Sequence, residues 1–227
     1  MDSCGCEPQG FASMFDRRNA EDDRDRYRRK GPDRTTRMLL ELLAPYRAAS
    51  STVLDIGGGI GIIDQELLKT GIGNAVLVDG STASLAVARE EARRLDLSDR
   101  MEFVEGDFVK LAAAIEPADI VTLDRVVCCY PDAEALIGGS AARVRTVYGL
   151  VLPRDRFMVR IAIRLENLWF RLQRKAYRAY VHPTARVDEI VAANGLQPRA
   201  QRQTIFWRVI VYDRGAAGAD REANRVP

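Results

Sequence analysis

The sequence predicts an α/β fold, a mostly parallel sheet with helices on both faces. Three features carry this reading. Between residues 51 and 153, runs that read as buried strands alternate with runs at helical spacing. The first strand ends in a glycine-rich turn, "DIGGGIG". The second and third end in single aspartates, Asp79 and Asp107. In open sheets of this kind, ligands bind beyond the carboxyl ends of the strands.

The elements follow in order. Residues 1–15 read as a loosely ordered lead-in. Residues 16–30, "DRRNAEDDRDRYRRK", carry dense mixed charge and predict an exposed helix with ion pairs four residues apart. Gly31 and Pro32 end it. In the next helix Met38, Leu39, Leu42 and Leu43 share one face, and Asp33 caps the start. "STVLDI" (51–56), "NAVLVD" (74–79), "MEFVEGD" (101–107), "ADIVTLDRVV" (118–127) and "RVRTVYGLVLP" (143–153) are strands. Helices fill 61–70, 84–97 and 132–142; Leu85, Ala88, Ala92 and Leu95 mark the middle one.

After Pro153 the pattern changes. Residues 154–180 read as one long amphipathic segment. Phe157, Ile161, Leu165, Leu168 and Leu172 form an apolar stripe, and Arg160, Arg164, Arg171, Arg174 and Arg178 a basic one. A helix over 184–194 ends at Gly195. "QTIFWRVIVYD" (203–213) alternates like a strand, with Ile205, Trp207, Val209 and Val211 on one side. The tail from Arg214 is small and polar, the composition of a disordered end. The expected organisation is a charged helical extension (1–32), a central domain (33–213) with an inserted helix (154–180), and a tail (214–227).

Composition excludes several classes. The net charge of +2 shows no nucleic-acid footprint in the total. No run of about 18 apolar residues exists to span a bilayer. Met1 to Gly10 has neither the basic start nor the apolar stretch of an export signal, so a cytoplasmic location with reduced thiols is expected. Cys4, Cys6, Cys128 and Cys129 match no common zinc spacing, and His182 is the one histidine, so no metal is expected.

The glycine turn narrows the ligand. A dinucleotide loop needs G-x-G-x-x-G, but from Gly57 or Gly59 the third glycine is missing, with Ile62 and Asp64 in its place. A P-loop needs G-K-[ST] after its glycines, and that is absent. What remains is D-x-G-x-G-x-G, from Asp55 through Gly57, Gly59 and Gly61, followed by two acids at strand ends. This combination resembles the class I S-adenosylmethionine-dependent methyltransferases over residues 51–153. The resemblance implies a Rossmann-like mixed sheet of seven strands, the last antiparallel. It also implies S-adenosylmethionine as cofactor, with the glycine loop under its methionine part, Asp79 on the ribose hydroxyls, and Asp107 with the Phe108 backbone at the adenine.

The acceptor side reads less directly. The [DNS]-P-P-[FY] motif of amide and base N-methyltransferases is replaced by "LDRVVCCYP". "RAYVHP" (178–183) and "T…FWRV" (204–209) resemble the magnesium-protoporphyrin IX O-methyltransferases. On that likeness Tyr130 and Pro131 match the family's Tyr-Pro, Cys129 stands where the family has histidine, and Tyr27 matches an N-terminal tyrosine. Tyr27, Cys129, Tyr130 and His182 are therefore the acceptor-side candidates. Plainer readings stand beside them. The two cysteines also suit small residues closing a strand. His-Pro before a helix suits an anchor, and Asp124 with Arg125 suits a structural salt bridge. The basic segment reads as a lid, as a helix lying on an anionic membrane, or as cover for the sheet with solvated arginines. The expected activity is methyl transfer to a small molecule, to a carboxylate or hydroxyl oxygen, with no nucleic-acid partner and peripheral membrane contact through 154–180 as a further option. The rival readings are a non-catalytic S-adenosylmethionine-binding partner protein and a membrane-surface or RNA-binding protein.

Overall fold

The computed structural model describes residues 15–175 and 177–215. The lead-in with Cys4 and Cys6, and the tail from residue 216, lie outside the described residues.

Seven strands form one mixed sheet: β1 (Thr52–Ile56), β2 (Asn74–Asp79), β3 (Met101–Glu105), β4 (Ala118–Asp124), β5 (Val144–Pro153), β6 (Gln197–Gln203) and β7 (Trp207–Asp213). Their order is β3-β2-β1-β4-β5-β7-β6. The first five are parallel and β7 runs antiparallel to β5. The order in which strands are added reverses between β1 and β4, so the strand ends open a crevice there, where such folds bind ligands.

Alternating residues of the central strands bury on opposite faces. On one face Leu54, Val121, Tyr148 and Ile210 pack with Leu136 and Val191 of helices α6 (Ala133–Ala141) and α8 (Thr184–Ala193). On the other, Val53, Ile120, Val147 and Val211 pack with Leu39, Leu43 and Leu67 of α2 (Arg34–Leu43) and α3 (Ile62–Lys69). Asp33 caps α2 as expected, accepting from the Thr35 and Thr36 amides.

β6 carries no alternation, because all seven of its residues are exposed and Pro198 interrupts them. It is an edge strand held by backbone pairing to β7, so hydrophobic period could not reveal it. Helix α1 (Arg17–Lys30) is exposed on one side but not free-standing. Ala20 and Tyr27 are buried, and Arg28 pairs with Glu91, a fully buried acid of α4 (Thr82–Arg94). Arg17 also bridges to Glu90 at 3.0 Å, so α1 is bolted to the central domain by charge.

The long segment after β5 differs most from expectation. Helix α7 spans Phe157–Leu172 and does not continue to 180. Arg174 adopts a left-handed φ of 57°, and the Lys175 amide donates back to the Phe170 carbonyl at 2.9 Å. This six-to-one closure ends the helix without the usual glycine. Asn167 then pins the following strand-like run by bonding both the amide and the carbonyl of Ala179. The buried side of α7 is Val159, Ile163 and Phe170, whereas the stripe of Phe157, Leu165, Leu168 and Leu172 faces outward. At the other end Arg214 donates to the Val144 carbonyl at 2.6 Å, so the first residue assigned to the tail is held to the sheet.

Candidate active site

The carboxyl ends of β1, β2 and β4 open into a cleft of about 1240 Å³. Its floor is the turn between β1 and α3. Gly57, Gly59 and Gly61 have φ of 66°, 60° and 73°, a region that side chains disfavour. Space adds a second demand. A Cβ on Gly57 would lie 2.6 Å from Val126 Cγ2, and one on Gly58 would lie 2.1 Å from Asp55 Oδ2. The turn therefore brings bare backbone to the cleft.

Asp79 organises this backbone. Its Oδ2 accepts from the Gly59 amide at 2.8 Å and its Oδ1 from the Ser81 amide at 2.7 Å. Burial pushes its pKa up while these two amides pull it down. Each oxygen retains a lone pair for a diol facing the cleft. Asp107 caps α5 (Phe108–Leu111) by accepting from the Val109 amide, and also accepts the Tyr130 hydroxyl at 3.0 Å. Phe108 opens that helix and buries its ring in the core, and Asp107 and Phe108 both line the cleft.

Under the turn lies a buried acid pair. Asp55 accepts from the Thr122 hydroxyl at 2.6 Å, and its other oxygen and both oxygens of Asp64 have no donor among the described residues. Burial raises both pKa values, Asp64 to about 7; the Asp64 charge raises Asp55 further, while the bond to Asp55 lowers Asp64 in part. Two carboxylates that share a dry site hold one proton between them, which supplies the donor they otherwise lack.

The far wall comes from scattered elements. The end of β4 carries Arg125 with a left-handed φ of 63°. Its guanidinium bridges Asp33 at 2.5 Å and Asp124 at 3.0 Å, and the Thr36 hydroxyl donates to Asp124. Asp124 and Arg125 are thus a salt bridge that ties α2 to the cleft. Cys129 Sγ lies 2.9 Å from the Tyr177 hydroxyl and 3.8 Å from Cys128 Sγ. The bond to Cys128 and, against burial, the bond to Tyr177 hold the Cys129 thiol low, while its neighbour raises Cys128. Phe15 and Phe170 pack edge-on against Tyr177.

The structure brings Asp55, Gly57, Gly59, Asp79, Asp107, Phe108, Cys129 and Tyr130 together around this cleft. Gly61 sits just behind, as the left-handed cap of α3. Tyr27 is not in the cleft. Its hydroxyl donates to Glu66 at 2.5 Å and accepts from Lys69, on the back of the glycine turn. The residues of α1 that line the cleft are Asn19, Ala20, Asp23 and Arg26, and Tyr27 follows one position beyond the last of them. His182 is also outside. Its Nε2 donates to the carbonyls of Val127 and Tyr130 at 3.1 Å each, its ring stacks on Tyr180, and burial lowers its pKa against the pull of those two carbonyls. It holds the Cys128–Cys129 turn in place from behind. Sequence reading missed Phe15, Glu166, Tyr177 and Phe206 in the wall. "RAYVHP" brought the reading to within a residue of Tyr177, but no motif picked it out.

Residues 53–146 match the family model of a methyltransferase domain. With the sheet order and the glycine turn, this gives the chain a methyltransferase-like fold with a match to a methyltransferase domain over residues 53–146. Among particular proteins, the ribosomal protein L11 methyltransferase of Thermotoga maritima is 38% identical over 80 residues, 33% of this chain and 30% of that protein. The sterol 24-C-methyltransferase of Saccharomyces cerevisiae is 31% identical over 107 residues, 47% of this chain and 26% of that protein. The chain thus spans less than a third of the length of these curated relatives. In fold, it is similar to the magnesium protoporphyrin IX methyltransferase of Synechocystis with bound SAH, with a TM-score of 0.69 at 19% identity over 89% of this chain and 99% of that one. An O-methyltransferase family protein of Burkholderia thailandensis gives 0.67 at 20% identity, over 89% of this chain and 62% of that one.

S-adenosylmethionine fits the cleft on the structure's own terms. The turn presents glycine backbone that Val126 and Asp55 leave no room to substitute at Gly57 and Gly58, and two cleft-lining acids stand at the ends of successive strands. Among the described residues no group of three or more His, Cys, Asp or Glu is placed to hold a metal, and no helix is long and apolar enough to cross a membrane.

Proposed function

We propose that the protein transfers a methyl group from S-adenosylmethionine to a small amphiphilic acceptor, at a carboxylate or hydroxyl oxygen. The observation that carries this is the cleft itself. It runs from the glycine turn past Asp79 and Asp107 to a wall of Cys129, Tyr177, Ile163 and Phe206. The bound cofactor supplies an electrophilic methyl on a sulfonium. The chain's own residues do the rest. The Gly57–Gly61 backbone receives the methionine part, Asp79 accepts the ribose hydroxyls, and Asp107 takes the adenine amine while Tyr130 fixes its carboxylate.

Alignment and exclusion of water are the main catalytic work in such a displacement. The apolar wall and α7 enclose the acceptor end, which suits a flat or aliphatic body with one polar group. Tyr177, fixed by Cys129 and two aromatic rings, is set to orient that group. A carboxylate acceptor is ionised at neutral pH and needs no base. The O-methyltransferase structures of like fold favour oxygen, whereas the curated relatives include protein and carbon methyltransferases.

Calorimetry tests the cofactor half. The wild type binds S-adenosylmethionine and Asp79→Ala binds about 100-fold more weakly, as expected for two lost bonds to a charged group. No binding by the wild type would overturn the reading. Transfer of labelled methyl into a small-molecule extract tests the acceptor half. Label found only in protein would overturn the small-molecule assignment.

A further inference from the structure

Helix α7 has two faces of opposite use. Ala162, Ile163 and Glu166 turn toward the cleft. Phe157, Leu165, Leu168 and Leu172 turn away from it, and Met158 and Trp169 widen the stripe. These are not grazing exposures: Phe157 is 74% and Leu172 71% exposed. Beside the start of the helix, Ile205 projects from the turn before β7 at 92% exposure, and an apolar groove of about 650 Å³ lies between them. A contiguous apolar patch on this scale marks an interaction surface.

Charge identifies the partner. At about 100° per residue, Arg160, Arg164 and Arg171 fall within about 40° of one another, along one edge of the apolar face. Arg160 is paired with Asp155 at 2.5 Å, but Arg164 and Arg171 form no ion pair among the described residues, and the only acid of α7, Glu166, points to the cleft. An apolar face with a rim of one sign is the pattern of a helix lying in a membrane interface. An antiparallel two-fold contact with a second copy would set these arginines against arginines. We propose that the outer face of α7, with Ile205, docks on an anionic lipid surface, its apolar side chains at the acyl boundary and its arginines on the lipid phosphates. The contact needs no cofactor, so it stands apart from the methyl-transfer reading. If both hold, an amphiphilic acceptor enters from the bilayer across one helix.

The test uses the chain's own fluorescence. It has two tryptophans, and Trp207→Phe leaves the exposed Trp169 as sole reporter. Vesicles of phosphatidylglycerol and phosphatidylcholine in a 3:7 ratio are expected to shift its emission to the blue. Pure phosphatidylcholine is expected to bind at least tenfold more weakly. Arg164→Gln and Arg171→Gln each weaken binding about fivefold. Leu168→Asp abolishes it, with circular dichroism and melting temperature confirming the fold. Because these side chains are exposed, the variants remain folded. Three results would overturn the proposal. One is no shift with anionic vesicles. A second is equal binding to both vesicle types. The third is a dimer in sedimentation that Leu168→Asp dissociates while vesicles leave Trp169 unchanged.

Discussion

The two halves of the cleft are made differently. The half that faces the cofactor is built from consecutive pieces: β1 with its turn, β2 with Asp79, and β3 with Asp107. Its partners are mostly backbone, and its geometry follows from where strands end. The half proposed for the acceptor is an assembly of distant pieces: Phe15, Cys129, Tyr177 and Phe206 come from four separate stretches. Its side chains hold one another. A site made by local backbone geometry tolerates no side chain, whereas a site made by packing tolerates exchange of side chains at modest cost. The same cofactor floor can thus serve many acceptors.

The comparison breaks first at the turn. Gly58→Ala places a methyl group against the Asp55 carboxylate and Leu77. Overpacking of this kind costs about 3 kcal/mol, and the variant is expected to lose measurable cofactor binding and melt well below the wild type. An Ala variant that binds normally would show that the floor is not backbone-limited.

On the acceptor side the expected effect is smaller and separable. Tyr177→Phe removes the hydroxyl that meets Cys129. The cofactor dissociation constant stays unchanged, and kcat/KM for the acceptor falls about tenfold. A matching loss of cofactor affinity would mean that the halves are not independent.

The buried pair beneath the turn predicts a pH effect. Asp55 and Asp64 have folded-state pKa values raised above the ordinary carboxylate value, Asp64 to about 7. Between about pH 4 and 7 the folded state therefore binds a proton that the unfolded state has released. Its contribution to stability is present at low pH and is lost as pH rises through about 7. Asp64→Asn supplies a permanent donor and flattens this dependence. At pH 8 it is expected to stabilise the protein by on the order of 1–2 kcal/mol, read by denaturant unfolding at pH 5 and 8.

Tyr27→Phe gives the smallest change. It removes the bonds to Glu66 and Lys69 behind the turn. Stability is expected to drop by about 1 kcal/mol, with turnover per folded molecule unchanged. A large fall in kcat at normal stability would return Tyr27 to the reaction.

The glycine turn and the acids at the strand ends were legible in the sequence. Asp55, the glycines, Asp79 and Asp107 lie at positions that strand endings define, and strand endings show as changes in hydrophobic pattern. Helix α1 was legible as a helix, but which face met the cleft was not. Tyr27 and Arg26 are one residue apart and point about 100° apart on the helix. Only packing against α4 decides between them. β6 was hidden because an exposed edge strand needs no apolar period. The end of α7 was hidden because Arg174, not glycine, takes the left-handed cap.

By itself, the sequence determined the alternation of strands and helices, the glycine turn and the acids at the strand ends, because each shows in a pattern spanning a few residues. The tertiary structure alone decided what lines the acceptor end and which way α7 faces. The stripe at helical spacing is the same whether it lies inward or outward. Burial of Val159, Ile163 and Phe170 against Tyr177 and Ala179 chose the orientation, and it left the larger apolar face to the outside.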